Sequence, residues 1–320
     1  MGVLQRPRPH NSLVSFLQHQ GFLLLDGGLA TELERYGYDL ADPLWSARLL
    51  LENPEAIQQV HQDYLQAGAD CLITASYQAT IAGFQQRGLG RDEAIRLIHR
   101  SVTVALEVRD TFWANEGNRV GRLRPLIAAS IGPYGAYLAN GAEYTGAYDL
   151  DEAGLITFHR ERWHILAQSG ADLLACETIP SAIEANALAR LVQETAEMPV
   201  WVSFSCQDGA RINDGTLLTE AVRPLTDLPQ VVALGINCTA PSHIPSLITH
   251  LKSVTDKPIV VYPNSGETYD AAHNCWLGIA AADDFAAASQ QWFSMGARLI
   301  GGCCRTGPDH IRHIRAALMG

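Results

Sequence analysis

The sequence is short of positive charge, with 23 lysines and arginines against 34 aspartates and glutamates, a formal net charge of −11 over 320 residues. That balance argues against a nucleic-acid or anionic-membrane partner, since both are drawn to basic patches. No apolar run approaches the roughly 20 residues of a membrane span. Residues 1–10 are polar and proline-containing, without the apolar core of a signal peptide. The seven cysteines are odd in number and show no disulfide-like spacing, which fits a reducing compartment. No Gly-x-Gly-x-x-Gly turn follows the first apolar run, so the usual dinucleotide fingerprint is missing. The expectation is a soluble, cytoplasmic protein, and 47% hydrophobic residues are ample for a large core.

What is present is a rhythm. Eight short apolar runs recur at 22–25, 71–75, 126–130, 173–176, 200–205, 231–236, 259–262 and 298–300. Helical patterns separate most of them, at 54–67, 91–116, 151–169, 181–194, 241–254 and 283–295. Three of these helices stop alike, at Gly68-Ala-Asp70, Gly170-Ala-Asp172 and Gly296-Ala-Arg298, where the glycine suits a C-cap. Alternation of strand and helix with short returns predicts a parallel sheet, and eight units predict closure into a single-domain (β/α)₈ TIM barrel. An open doubly wound sheet is the alternative. Residues 11–20 predict a short amphipathic helix that plugs the bottom of the barrel.

Active sites in such barrels lie at the C-terminal ends of the strands. Polar and sulfur groups gather there: Asp26-Gly-Gly28, Ser76-Tyr-Gln78, Glu177-Thr178, Asn237-Cys238, Pro263-Asn-Ser-Gly-Glu267 and Gly302-Cys-Cys304. The long loop 132–148 carries Tyr134, Tyr137, Tyr144 and Tyr148, and a loop of that length predicts a lid. Within a strand Cys303 and Cys304 would point to opposite faces, but Gly301 and Gly302 let the chain turn as the strand ends. With Cys238 they make three sulfurs at strand ends, the ligand count of a catalytic zinc site with one open position. A single buried cysteine is ordinarily a small hydrophobe, and adjacent cysteines also form vicinal disulfides. Cys71, Cys176, Cys206 and Cys275 read as structural. His310 and His313 read as an exposed helix face and Arg305 as a turn residue.

At these positions the chain resembles the homocysteine S-methyltransferase family, and it is similar to the bacterial members that use S-methylmethionine. The resemblance rests on Leu25-Asp-Gly-Gly-Leu-Ala-Thr-Glu-Leu33, Ile73-Thr-Ala-Ser-Tyr-Gln-Ala-Thr80, Gly132-Pro-Tyr-Gly-Ala-Tyr-Leu138, Ala175-Cys-Glu-Thr178, Gly235-Ile-Asn-Cys238, Tyr262-Pro-Asn-Ser-Gly-Glu267 and Gly301-Gly-Cys-Cys-Arg-Thr306. It implies a zinc-dependent barrel that moves a methyl group from a sulfonium, S-methylmethionine or S-adenosylmethionine, to the homocysteine thiolate. It further implies that Cys238, Cys303 and Cys304 hold one Zn²⁺ and that Asp26 and Glu177 take the substrate ammonium. The chain stops soon after its eighth helix, without the extension that supports tetramers in betaine-using relatives, which implies a monomer.

Several roles are read from residue chemistry. The backbone N–H groups of Gly27 and Gly28 are candidates for the substrate carboxylate, and Tyr77 and Trp45 are candidates for cation–π contact with the sulfonium. Asn264 and Glu267 follow the seventh strand and are expected to shape the same pocket. Two rival classes are a thiol oxidoreductase using Cys303 and Cys304 as a redox pair, and a non-catalytic zinc or thiol sensor.

Overall fold

The apolar runs become strands because each is short, β-branched or leucine-rich, and covered on both faces. They are β1 (Leu23–Leu24), β2 (Cys71–Ile73), β3 (Leu126–Ile131), β4 (Leu173–Ile179), β5 (Val200–Phe204), β6 (Val231–Asn237), β7 (Ile259–Tyr262) and β8 (Ala297–Ile300). The computed structural model describes residues 9–40, 44–266, 268–270, 275–277 and 281–320. Strands β2 to β8 pair in chain order, all parallel, and β8 pairs with β1. A parallel bridge from Leu25 to Cys71 joins β1 to β2 and closes the ring. The expected TIM barrel is therefore the fold.

Alternation along the strands divides the core in two. Leu24, Leu72, Ile127 and Leu174 face the helical layer. Leu23, Cys71, Ala128, Trp201 and Leu299 fill the interior. Near its upper end the interior turns polar, where the Tyr262 hydroxyl meets Ser203 Oγ at 2.6 Å and accepts from the Trp201 indole at 3.1 Å.

The bottom is sealed as expected, by the helix Pro9–Gln20, whose Leu13 and Phe16 join the interior cluster. Gln20 donates to Asp70 Oδ2 at 2.6 Å, and Leu24 N at 3.2 Å and Arg315 at 2.8 and 2.9 Å complete that carboxylate's shell. The three repeated glycines, Gly68, Gly170 and Gly296, all stand at positive φ, the left-handed stop that a Cβ would disfavour.

Some elements differ from expectation. The helix expected over 241–254 is a 3₁₀ turn, Pro241–His243, followed by Ile244–Lys252, because Pro245 is tolerated only in a helix's first turn. The helix expected to 116 ends at Ala114. Several short elements were unforeseen, among them a helix Ile81–Gln86 capped by Thr80 Oγ1, a helix Tyr134–Leu138 inside the aromatic loop, and an antiparallel pair, Thr268–Asp270 with Cys275–Leu277, in the loop after β7. No described helix is long and apolar enough to cross a membrane.

Candidate active site

The loops that leave the C-terminal ends of the strands surround a cavity of about 520 Å³. Its wall includes Gly27 and Gly28 after β1, Tyr77 and Gln78 after β2, Glu177 and Thr178 from β4, Cys238 after β6, Tyr262 of β7, and Cys303 and Cys304 after β8. The sulfurs of Cys238, Cys303 and Cys304 lie within 4.8 Å of one another, and they are the metal-competent cluster found among the described residues. Cys238 and Cys304 stand 3.8 Å apart. Hydrogen bonding from Cys238 first, then from Cys303, holds the Cys304 thiol well below its ordinary range. Three sulfurs this close make a soft donor set.

The two glycines before the cysteines act differently from the sequence expectation. Neither takes a positive φ; what each permits is close approach. A Cβ on Gly301 would sit 2.6 Å from Leu25 Cβ, and one on Gly302 would sit 2.3 Å from Thr306 Oγ1. The left-handed turns fall instead on Cys238 (φ 48) and Arg305 (φ 66). With Ala139 and Thr178 they make up the positive-φ non-glycine residues of the described chain, and all four line the cavity. Backbone strain of this kind concentrates where geometry is functional.

Glu177 is reached through Thr178, whose left-handed turn is held by Asn237. Asn237 Oδ1 accepts from Thr178 N at 2.7 Å, and its Nδ2 donates to Thr178 Oγ1 at 2.7 Å. Glu177 accepts from Ser130 Oγ. Burial pushes its carboxyl up to about 7, against the opposing pull of hydrogen bonds from Ser130 and Tyr262. Asp26 is buried nearby: Oδ2 accepts from Ile73 N at 2.9 Å, while Oδ1 has no hydrogen-bond partner. Burial first, with Glu177 adding to it, raises Asp26 well above the carboxylate range. Asp26 itself stands behind the lining residues rather than among them.

The other sequence candidates divide. Tyr77 lines the cavity beside Thr178. Gly28 N–H donates to Thr306 O at 3.0 Å, so the expected carboxylate contact narrows to Gly27. Asn264 donates from its backbone to Thr239 O and is not among the cavity-lining residues, while its side-chain Oδ1 is buried without a hydrogen-bond partner. The Trp45 side chain and Glu267 lie outside the described residues. The aromatic loop is only partly a lid. Tyr134, Tyr137 and Tyr148 pack with Phe158 on the flank, with centroids 4.9–5.8 Å apart. Tyr144 alone of the four lines the cavity, on the side of Cys238. His310 accepts from Gly307 N, and His313 pairs with Asp283 at 3.1 Å. Cys71, Cys176 and Cys206 are buried, and burial pushes all three thiols up.

One acid of the wall, Glu143, escaped sequence reasoning, whereas Gln78 stood among the strand-end groups expected there. Glu143 Oε2 and Gln78 Oε1 are buried without a hydrogen-bond partner, and burial raises the Glu143 carboxyl. Glu143 sits at no telling spacing, and only the neighbourhood of Tyr144 hints at it.

A mouth with three convergent sulfurs and incompletely bonded acids defines a barrel enzyme with a metal-competent centre. The family model described as homocysteine S-methyltransferase matches residues 23–318. The homocysteine S-methyltransferase YbgG of Bacillus subtilis is 55% identical, with 96% of this chain and 97% of that protein covered. Crystal structures of the Escherichia coli homocysteine methyltransferase MmuM superpose with TM-scores of 0.87 for its oxidized form and 0.85 for its metallated form. Their identities are 46% and 47%, and coverage is 97% and 95% of this chain and 99% of theirs. The chain belongs to the homocysteine S-methyltransferase family and is a methyltransferase.

Proposed function

We propose that this cavity binds homocysteine and a sulfonium donor, S-methylmethionine or S-adenosylmethionine, and transfers a methyl group to the homocysteine sulfur at a zinc site, giving methionine. The observation that carries this reading is the convergence of Cys238, Cys303 and Cys304 beside buried acids in one cavity. Two sulfurs each about 2.3 Å from one tetrahedral ion stand roughly 3.8 Å apart, which the Cys238–Cys304 separation of 3.8 Å matches. The E. coli relative has a metallated form, which supports the same reading. Zinc held there supplies the Lewis acidity that lets an alkyl thiol, mostly protonated at pH 7, ligate as its thiolate.

The chain's own residues do the rest. The thiolates of Cys238, Cys303 and Cys304 would outweigh a divalent ion by one charge, which would leave an acceptor sulfur beside them electron-rich. Asp26 and Glu177 suit the substrate ammonium, because a cation restores the anionic form that burial disfavours. Glu143 offers another carboxylate on the lid side, and the Tyr77 ring offers a face to a sulfonium. Gly27 N–H is suited to a carboxylate. Attack of thiolate on sulfonium cancels both charges, a change that walls built from Ile73, Tyr77 and Tyr262 favour by keeping water out. A thiol oxidoreductase or a sensor would leave these acids without a task. The reading extends to a single-domain monomer in a reducing cytoplasm. The test is a donor panel with homocysteine at fixed zinc: methionine is expected from at least one sulfonium, and none from any would end the proposal.

A further inference from the structure

A buried acid outside the cavity has no part in the chemistry above. Glu184 lies in the first turn of the helix Ala182–Glu194, where acids ordinarily face solvent and answer the helix dipole. Here it is 0% exposed. Its Oε1 accepts from Tyr134 N at 2.6 Å and faces His159 Nε2 at 2.7 Å, and its Oε2 accepts from the Tyr148 hydroxyl at 2.9 Å.

His159, on the helix Glu152–Ala167, is also 0% exposed. Its Nδ1 meets Arg162 Nη2 at 3.0 Å. An arginine only donates, so Nδ1 accepts, and Nε2 carries the hydrogen given to Glu184. Arg162 in turn donates to Gly132 O at 2.7 Å and to Tyr77 O at 3.2 Å. Carboxylate and guanidinium are thus balanced through a neutral imidazole, and together they grip four points: Tyr77 O, Gly132 O, Tyr134 N and the Tyr148 hydroxyl. Between the last two runs the stretch that lends Ala139, Gly141, Glu143 and Tyr144 to the cavity wall. Glu184, His159 and Arg162 themselves do not line it.

We infer that Glu184 is a positioning residue: by holding both ends of the 132–148 segment it fixes where Glu143 and Tyr144 stand beside the three sulfurs. Burying a carboxylate is costly, and the return here is a fixed lid rather than a ligand contact. The inference rests on reading the cavity as the methyl-transfer site. It is tested with Tyr148→Phe and Glu184→Gln in zinc-loaded enzyme, by steady-state kinetics and by hydrogen exchange of the amides 135–147. Loss of a hydrogen bond to a charged group predicts a rise in KM of about tenfold for at least one substrate, with kcat within about threefold. Exchange over 135–147 is expected to quicken while the barrel strands keep their protection. Unchanged exchange in both folded variants, or lost kcat with unchanged KM, overturns the inference. If Glu184→Gln does not fold, Tyr148→Phe decides alone, since it removes one tether and leaves the Glu184–His159–Arg162 chain intact. A wild-type enzyme that forms no methionine would sink the functional reading, and the exchange experiment would still decide the role of Glu184.

Discussion

Asp70 and Asp26 are buried aspartates at opposite ends of one barrel, and the fold treats them in opposite ways. Asp70, just before β2, has both oxygens occupied, by Gln20, Leu24 N and Arg315. Asp26, just after β1, holds one backbone N–H and keeps an oxygen with no partner. The pattern extends beyond the pair. At the bottom, Asp172 takes Arg109 and Ile127 N, although Gln230 just before β6 keeps Oε1 unfilled, whereas after the strand ends Gln78, Glu143 and Asn264 each keep a buried acceptor unfilled. A buried polar atom without a partner is costly, so a cluster of them around one cavity marks where a ligand supplies what the chain withholds. The backbone repeats the lesson, with its left-handed non-glycine residues gathered at the mouth.

The contrast breaks most completely at the sulfurs. Replacing Cys238, Cys303 or Cys304 by Ala is expected to take zinc from about one per chain to near none and to lower methionine formation by at least about a thousandfold. The barrel should stay folded, because its core does not depend on the cluster. Metal analysis with thermal melts reads both, and full metal content in any one variant removes that cysteine from the site.

At the other end the expected loss is of stability alone. Asp70→Ala leaves the Arg315 guanidinium in its buried setting with only Gly68 O, a cost of about 3–5 kcal/mol for a broken buried pair. Urea melts measure it. Homocysteine KM should hold at its wild-type value, and a raised KM would blur the division between the two ends.

His61 sharpens the comparison because it is an unpartnered group away from the mouth. It is fully buried, neither ring nitrogen has a hydrogen-bond partner, and burial lowers its pKa from 6.5 to about 4. Between those values the unfolded chain binds a proton that the folded one refuses. Its stability is therefore intact above pH 6.5 and falls as pH drops toward 4, by about 3 kcal/mol in all. His61→Phe should flatten that slope, so the gap between wild type and variant should shift by about 2 kcal/mol between pH 7 and pH 5. Parallel slopes would show that His61 is not buried neutral.

The scaffold was legible because its signals are local: eight apolar runs, three Gly-Ala helix stops and polar residues where each run ends. Cys238, Cys303, Cys304, Glu177 and Tyr77 were legible for the same reason, each standing at a strand end. The bonds that place them were not. Glu184 reads as an ordinary first-turn acid, and only the fold brings Tyr134 N, 50 residues away, to 2.6 Å from it. Gly301 and Gly302 look like turning residues, but their necessity comes from Leu25 and Thr306, which the sequence does not place beside them.

The finest test lies in one substitution with two signs. Glu177 sits at the mouth with its carboxyl pushed up to about 7 by burial, from an ordinary 4.5. Between those values the folded protein keeps a proton that the unfolded chain releases, so the stabilisation is full below pH 4.5 and is lost as pH rises through 7. In ligand-free, metal-free protein at pH 8, Glu177 is therefore a burden, and Glu177→Gln should change stability more favourably at pH 8 than at pH 5, by about 2–3 kcal/mol. With Glu177 as the proposed anchor of the substrate ammonium, the same change should weaken homocysteine binding by roughly ten- to a hundredfold, the loss of one charge-assisted bond. Melts at the two pH values and a binding titration of zinc-loaded enzyme read the two effects separately. A stability change no more favourable at pH 8 than at pH 5 would make Glu177 a structural acid like Asp70. One that binds homocysteine as wild type does would move the ammonium to Asp26 or Glu143, and with it the division of labour across the mouth.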